Sequence, residues 1–205
     1  MPIAAIIPVK PFAEGKSRLI SVLGNDQRQA LIRNMFCHVL ETTLATQGIA
    51  DTIVISRDEE ALTLAEEAGA HAILEAENSN LNAALNVARK ASVALSASGL
   101  LVVPADLAKL KPTDLSAVLP CAEHQASATA LVVIAPDESQ LGTNALFIRP
   151  SDSFKFLFGT NSFEKHHTVA IKAGCDVHII ERPNLAFDVD EPNDLNNLDE
   201  SFWRV

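Results

Sequence analysis

Ile3-Ala4-Ala5-Ile6-Ile7-Pro8-Val9, followed by Lys10-Pro11-Phe12-Ala13-Glu14-Gly15-Lys16-Ser17-Arg18-Leu19, is the stretch on which the reading of this chain turns. Its first part is a continuous apolar run. It is too short to span a bilayer and lacks the basic start and small-residue cleavage site of a signal peptide, so it predicts a buried strand. Strands covered on both faces read as unbroken apolar runs. Similar runs recur at Thr52–Ser56, Ala70–Leu74, Leu100–Val103, Ala128–Ala135, Ala145–Arg149 and Val177–Glu181. Helical patterns lie between the early ones: Asp26–Gln47 with Gly48 as a stop, Glu59–Glu67 ended by Gly69, and Asn82–Leu95 with Leu85, Val87 and Ala91 inside. Strands and helices in alternation predict βαβ units, and so an α/β, three-layer, doubly wound fold on a mostly parallel sheet.

After Pro120 the order changes. Two strand-like runs flank the polar loop Pro136–Thr143, which predicts a mixed sheet with at least one antiparallel strand, and helical stretches are read at Ser151–Phe158 and Ser162–Ala173. No repeat, low-complexity tract or linker interrupts residues 1–205, so a single domain is expected.

The bulk chemistry narrows the function. At 205 residues, with 48% hydrophobic and 20% charged side chains, the chain has the composition of a folded globular domain. A formal net charge of −10 excludes binding driven by counterion release from nucleic acid, so neither DNA nor RNA is an expected partner, nor is a membrane. An anionic substrate would need a local cationic pocket or bound metal ions. Cys37, Cys121 and Cys175 are odd in number and form no Cys-x-x-Cys pair, which predicts reduced thiols in a cytoplasmic protein. His38, His71, His124 and His178 show no ligand spacing, and for His166 and His167 a surface or satisfied core role is favoured over catalysis.

In open α/β sheets ligands bind beyond the carboxyl ends of the strands, so the loops there carry the candidates. Lys10, Lys16 and Arg18, with Gly15 and a helix start, supply the cations and backbone N–H groups that a triphosphate needs, although the glycine and lysine spacing is not that of a Walker loop. The same loop also reads as solvated lysines. Pro104-Ala105-Asp106 puts a carboxylate at a strand end, where it would serve as a magnesium ligand, a ribose contact, or a plain turn-former or cap before Pro112. In Phe187-Asp188-Val189-Asp190-Glu191-Pro192, alternation sets Asp188 and Asp190 on one side of an extended segment, suited to one hard cation. Asp190 also reads as a helix N-cap; Asp188 does not. Asn82, with Asn78, Ser79, Asn80 and Asn86, reads a nucleoside or caps a helix. Gly142-Thr143-Asn144 and Phe158-Gly159-Thr160-Asn161-Ser162 suit a phosphate or carboxylate, or an ordinary turn.

Ordered along nearly the full length, several of these stretches carry a resemblance. Pro8-Val9-Lys10 with Gly15-Lys16-Ser17-Arg18-Leu19, Leu81-Asn82-Ala83-Ala84-Leu85, Pro104-Ala105-Asp106-Leu107, Gly142-Thr143-Asn144-Ala145-Leu146, Phe158-Gly159 with Ser162-Phe163 and His166, and Asp188-Val189-Asp190 with Pro192 and Asp194-Leu195 resemble the phospholactate/phosphoenolpyruvate guanylyltransferases of coenzyme F-420 biosynthesis. That family is similar in fold to the molybdenum-cofactor guanylyltransferases and to nucleotide-diphospho-sugar transferases. The resemblance implies GTP as co-substrate, Mg2+ as cofactor and release of pyrophosphate. The acceptor it implies is phosphoenolpyruvate, 2-phospho-L-lactate or 3-phosphoglycerate, with phosphoenolpyruvate the favourite. It further implies Asp106, Asp188 and Asp190 as metal ligands, and Lys10, Lys16 and Arg18 on the triphosphate as catalytic groups. Asn82 and Pro104 would lie with the nucleotide, and Thr143, Asn144, Gly159 and Ser162 would receive the acid.

Two departures from the family pattern stand out: Ala108-Lys109 where Pro-Leu is usual, and Ser79-Asn80 where glycine is usual. The competing readings are a nucleotidyltransferase for a sugar phosphate or the molybdenum cofactor, disfavoured because Lys10-Pro11-Phe12 replaces a Gly-x-Gly-x-Arg loop, and a non-catalytic nucleotide-binding protein of the same fold. A homodimer is the expected assembly, if the chain has one.

Overall fold

Alternate residues of the first strand face opposite ways, and both sides are apolar. The chain therefore needs helices on both faces of its sheet. In the computed structural model, which describes residues 2–120, 130–152 and 154–205, this is the arrangement found. The strands are β1 (Ile3–Val9), β2 (Asp51–Ser56), β3 (His71–Leu74), β4 (Gly99–Val102), β5 (Leu131–Pro136), β6 (Thr143–Arg149) and β7 (Asp176–Ile179). They form one seven-stranded sheet in the order β3-β2-β1-β4-β6-β5-β7. β6 runs against both its neighbours, β4 and β5, and every other pairing is parallel.

The helices are α1 (Asn25–Leu44), α2 (Glu59–Glu67), α3 (Leu81–Ala94), α4 (Pro112–Val118), α5 (Ser162–Lys172) and the short α6 (Pro183–Ala186). Ile3, Ala5, Ile7 and Val9 of β1 pack in one core with Leu31, Met35, Phe36 and Val39 of α1 and Leu115 of α4. Ala4 and Ile6 pack in a second core with Ala84, Leu85 and Ala88 of α3 and Ala170 of α5. The sheet is thus the middle of three layers, as the sequence predicts. None of the helices is long and apolar enough to cross a membrane, among the described residues.

Two expectations need adjusting. Ala128 and Thr129 of the Ala128–Ala135 run lie outside the described residues, as do Cys121 and His124. The helix expected over Ser151–Phe158 is absent: Ser153 is outside the described residues, and 154–158 form neither helix nor strand. The physical reason is visible in the apolar spacing. Phe154, Phe156 and Phe158 repeat every second residue, the period of extended chain and not of a helix, and Phe154 and Phe156 are buried in the second core.

Gly99 opens β4 where a Cβ would come within 2.9 Å of the Phe147 ring of β6. Gly99→Ala is expected to destabilise the protein by about 1–3 kcal/mol through overpacking. A lower urea midpoint with unchanged slope would be the sign of it; an unchanged midpoint would show that Phe147 yields freely.

Candidate active site

Four loops leave the carboxyl ends of β1 to β4, and antiparallel β6 begins at that same edge. The first loop is held from both sides. The backbone N–H of Phe12 donates to the Asp58 carboxylate at 2.8 Å, while the other oxygen of Asp58 caps α2 by accepting from Glu60 N and Ala61 N. Arg28 of α1 donates to the Gly15 carbonyl at 2.8 Å. Lys16 follows in the left-handed backbone region, φ 52° and ψ 46°, and starts the 3-10 turn Ser17–Ser21. A non-glycine residue there costs of order 1 kcal/mol and persists only where its surroundings hold it.

Its side chain shows what holds it. Lys16 Nζ donates to Asp106 Oδ2 at 2.6 Å and to Asp190 Oδ1 at 2.8 Å, and the Lys16 side chain is only 9% exposed. Burial alone would lower the lysine's affinity for its proton. The two carboxylates outweigh that and raise its pKa well above the usual lysine value. Burial likewise works against ionisation of Asp106, but Lys16 more than offsets it, leaving the Asp106 carboxyl below the ordinary range.

Asp188 completes the cluster. Asp106, Asp188 and Asp190 each bring a carboxylate oxygen within 4.8 Å of the others. Burial, then the charges of Asp106 and Asp190, push the Asp188 carboxyl up to about 6. Val189 between them is fully buried in the first core and anchors the pair. The alternative role of Asp190 as a cap is not what the structure shows. The 3-10 turn Pro192–Asn197 is preceded by Glu191, and it is Asp194 whose carboxylate accepts from the N–H of Asp190 at 2.8 Å and of Glu191 at 2.7 Å. Asp106 caps nothing either, since the residue that caps α4 is Lys111, whose N–H is held by Asp114. Three converging hard oxygen donors fit a divalent cation such as magnesium, and Lys16 already brings positive charge against two of them.

A cavity of about 1010 Å³ opens over this cluster. Lys10, Lys16, Arg18, Asn82, Pro104, Asp106, Gly159 and Asp190 all line it. Arg57, Glu14 and Glu75 also line it and were not singled out from sequence; Arg57 and Glu14 pair at 2.8 Å. Glu14 belongs to the first loop, but Arg57 and Glu75 follow β2 and β3 without a local motif, so only the strand order reveals them. Arg18 is two-thirds exposed and 3.8 Å from Glu191. Asn82 lies in the wall with both polar atoms occupied: its amide nitrogen donates to the Phe158 carbonyl at 3.0 Å and its oxygen accepts from Phe158 N at 2.9 Å. Asn82 thereby sets Gly159 at the cavity edge.

Thr143 and Asn144 open β6 at a β-bulge. Ala135 pairs with Ala145 but Pro136 pairs with Thr143, so Asn144 is the extra residue. Ala145 and Phe147 face the first core, and Leu146 and Ile148 the second. Regular alternation would put Thr143 on the side of Ala145. The bulge turns it instead to α5, where Thr143 Oγ1 lies 3.0 Å from His166 Nδ1. Asn144, expected on the acid, points the other way: its amide donates to the carbonyls of Leu185 and Ala186 at 2.9 and 3.3 Å, and it favours the ionised form of the Asp188 carboxyl. Ser162, first residue of α5, is buried beside Gly159, whose carbonyl accepts from its N–H at 3.1 Å. Gly159 has φ 122° and Asn161 is left-handed at φ 54°, a conformation glycine and asparagine adopt most readily.

His166 is a satisfied core histidine, as favoured from sequence, and it joins the site. It is fully buried, and burial lowers its pKa to about 4. The unfolded chain therefore binds a proton to this residue between about pH 6.5 and 4 while the folded chain does not, so its contribution to stability is complete above pH 6.5 and is lost as the pH falls towards 4. That difference amounts to about 3 kcal/mol at most. The half-buried Asp188 has the opposite sign, being raised, so the comparison must be with a His166→Gln variant. Over that range the wild-type midpoint in urea is expected to fall more steeply than the variant's; parallel curves would refute it.

Comparison with known proteins bears on the family and the fold. A family model described as guanylyl transferase CofC like matches residues 3–199. A phosphoenolpyruvate guanylyltransferase of Rubrobacter xylanophilus is 39% identical over 201 residues, covering 98% of this chain and 95% of that protein. One from Sphaerobacter thermophilus is 32% identical, covering 95% and 91%. Among solved structures, a putative nucleotide-diphospho-sugar transferase from Desulfovibrio desulfuricans has a TM-score of 0.72 at 16% identity, covering 95% of this chain and 84% of that one. A nucleotidyl transferase from Methanothermobacter has a TM-score of 0.69 at 13% identity, covering 98% and 97%. These structures share the fold that the sequence predicts, and the sequence matches extend over essentially the whole chain: it belongs to the CofC-like guanylyl transferase family.

Proposed function

We propose that the protein transfers the guanylyl group of GTP to phosphoenolpyruvate in coenzyme F-420 biosynthesis, with magnesium held by Asp106, Asp188 and Asp190. The observation that carries this reading is the convergence of those three carboxylates, within 4.8 Å, beside a lysine-bearing loop at the foot of a cavity. The names of the relatives supply phosphoenolpyruvate as acceptor.

Nucleotidyl transfer needs in-line positioning and neutralised charge more than covalent help from the protein. An oxygen of the acid's phosphate forms a bond to the α-phosphorus of GTP as the bond from that phosphorus to the β-phosphate oxygen breaks, and pyrophosphate departs. Magnesium, when bound, would neutralise charge on the reacting phosphoryl oxygens. Lys10, Lys16 and Arg18 hold the triphosphate in an otherwise acidic protein. Thr143, Gly159 and Ser162, grouped at the N-terminus of α5, receive the acid, where the positive end of the helix dipole favours an anion. No side chain acts as nucleophile.

Mass spectrometry of products from GTP or ATP, each with phosphoenolpyruvate, 2-phospho-L-lactate and 3-phosphoglycerate in the presence of magnesium, tests this reading. GTP with phosphoenolpyruvate is expected to give the guanylylated acid and pyrophosphate. Preference for another acid would overturn the acceptor, preference for ATP the nucleotide, and no product from any pair the enzymatic role itself.

A further inference from the structure

We infer that His166 is a positioning residue, which fixes the Thr143 hydroxyl as a hydrogen-bond donor to an anionic oxygen of the acid substrate. The inference rests on the assignment of Thr143 and Ser162 to the acid half of the site. Its starting point is a backbone group whose role cannot change: the N–H of Leu157 donates to His166 Nε2 at 2.9 Å. Nε2 is therefore the unprotonated acceptor, and the ring hydrogen is on Nδ1. Nδ1 lies 3.0 Å from Thr143 Oγ1, so the ring donates and the hydroxyl oxygen accepts.

A threonine hydroxyl has one hydrogen to give. With its oxygen accepting from His166, that hydrogen must point elsewhere, and no acceptor for it exists among the described residues. Thr143 is 5% exposed, so the hydroxyl is nearly dry and a missing partner matters. Ser162 and His166 lie four residues apart on α5 and share a helix face, which sets Thr143 beside the helix N-terminus that Ser162 opens. An anionic oxygen bound there completes the chain Leu157 N–H to His166 to Thr143 to substrate. Phe154 and Phe158 pack against the imidazole with ring centroids 5.9 and 4.7 Å away.

Steady-state kinetics on wild type, Thr143→Val, His166→Phe and the double variant test the role, together with nitrogen NMR of the imidazole. Loss of a hydrogen bond to a charged group is expected to raise the KM for phosphoenolpyruvate about tenfold to a hundredfold in each single variant, with the KM for GTP within about twofold. The double variant is expected to be no worse than Thr143→Val alone, because His166 acts through that hydroxyl. His166→Gln, which keeps one donor and one acceptor, is expected to recover most of the loss. NMR is expected to show the hydrogen on Nδ1. A hydrogen on Nε2, additive effects in the double variant, or equal rises in both KM values would overturn the proposal. Absence of any product from the wild type would instead sink the substrate assignment, and the NMR result would still decide the tautomer.

Discussion

Asp188→Asn is expected to cut turnover about a thousandfold while leaving the thermal midpoint level or higher. The two halves of this expectation have one cause. Asp188 is partly buried, close to Asp106 and Asp190, and its carboxyl is pushed up to about 6 because nothing in the protein fully compensates its charge. Keeping it ionised at neutral pH works against folding, and asparagine of the same shape removes that burden. The function proposed for the site needs the charge, since a carboxylate supplies both a hard ligand and the field that holds a cation. Losing several kcal/mol of charge stabilisation in the transition state corresponds to about a thousandfold in rate. Turnover and thermal unfolding measured on the same preparation check the pair. Unchanged pyrophosphate release, or a variant that unfolds, would contradict it.

Lys16→Ala is expected to act on both stability and nucleotide use. Its ammonium lies between Asp106 and Asp190 with a side chain only 9% exposed, so removal leaves three carboxylates facing one another. Asp106 is a third exposed and Asp190 half exposed, so water screens part of the loss and its cost is about 1 kcal/mol. Magnesium is expected to restore part of the loss by binding the folded state alone. The apparent affinity for GTP is expected to fall at least about tenfold, and that for the acid less. Melting curves with and without magnesium, with KM values for both substrates, decide the matter. A larger loss for the acid would reverse the assignment of the loop, and an unaltered melting curve would show that the ion pairs contribute nothing.

Much of this architecture is written locally. The unbroken run of β1 and the cations after it are adjacent in the chain, and strand period alone sets Asp188 and Asp190 on one side. What brings Asp106 to them is not local. β7 lies at one edge of the sheet, separated from β4 by β5 and β6, and the segment after β7 must return across their ends. It is tied there by Glu138 N donating to the Ala186 carbonyl and by the amide of Asn144. No periodicity encodes that path.

The same limit explains Asn144, whose motif suited an anion but whose direction depends on a bulge created by pairing with β5. A surface or satisfied core role is what the sequence favours for His166, but which core groups satisfy it is not local, because its partners, Thr143 and Leu157, come from β6 and an irregular segment. The misread Ser151–Phe158 stretch is different in kind, for its two-residue period was in the sequence and its flanking helix-like composition obscured it.

The two-against-one pairing at Pro136 acts as a phase step along β6. Downstream of it, side chains keep the ordinary rhythm of the sheet; upstream, the rhythm is reversed, so neighbouring residues serve opposite layers: Thr143 the helix above, Asn144 the carboxylate below. One inserted residue thereby decides which face of the sheet each of two neighbouring polar side chains serves. Shortening the strand by one residue at that step would exchange the two faces' side chains together, so this stretch tolerates changes of side chain far better than changes of length.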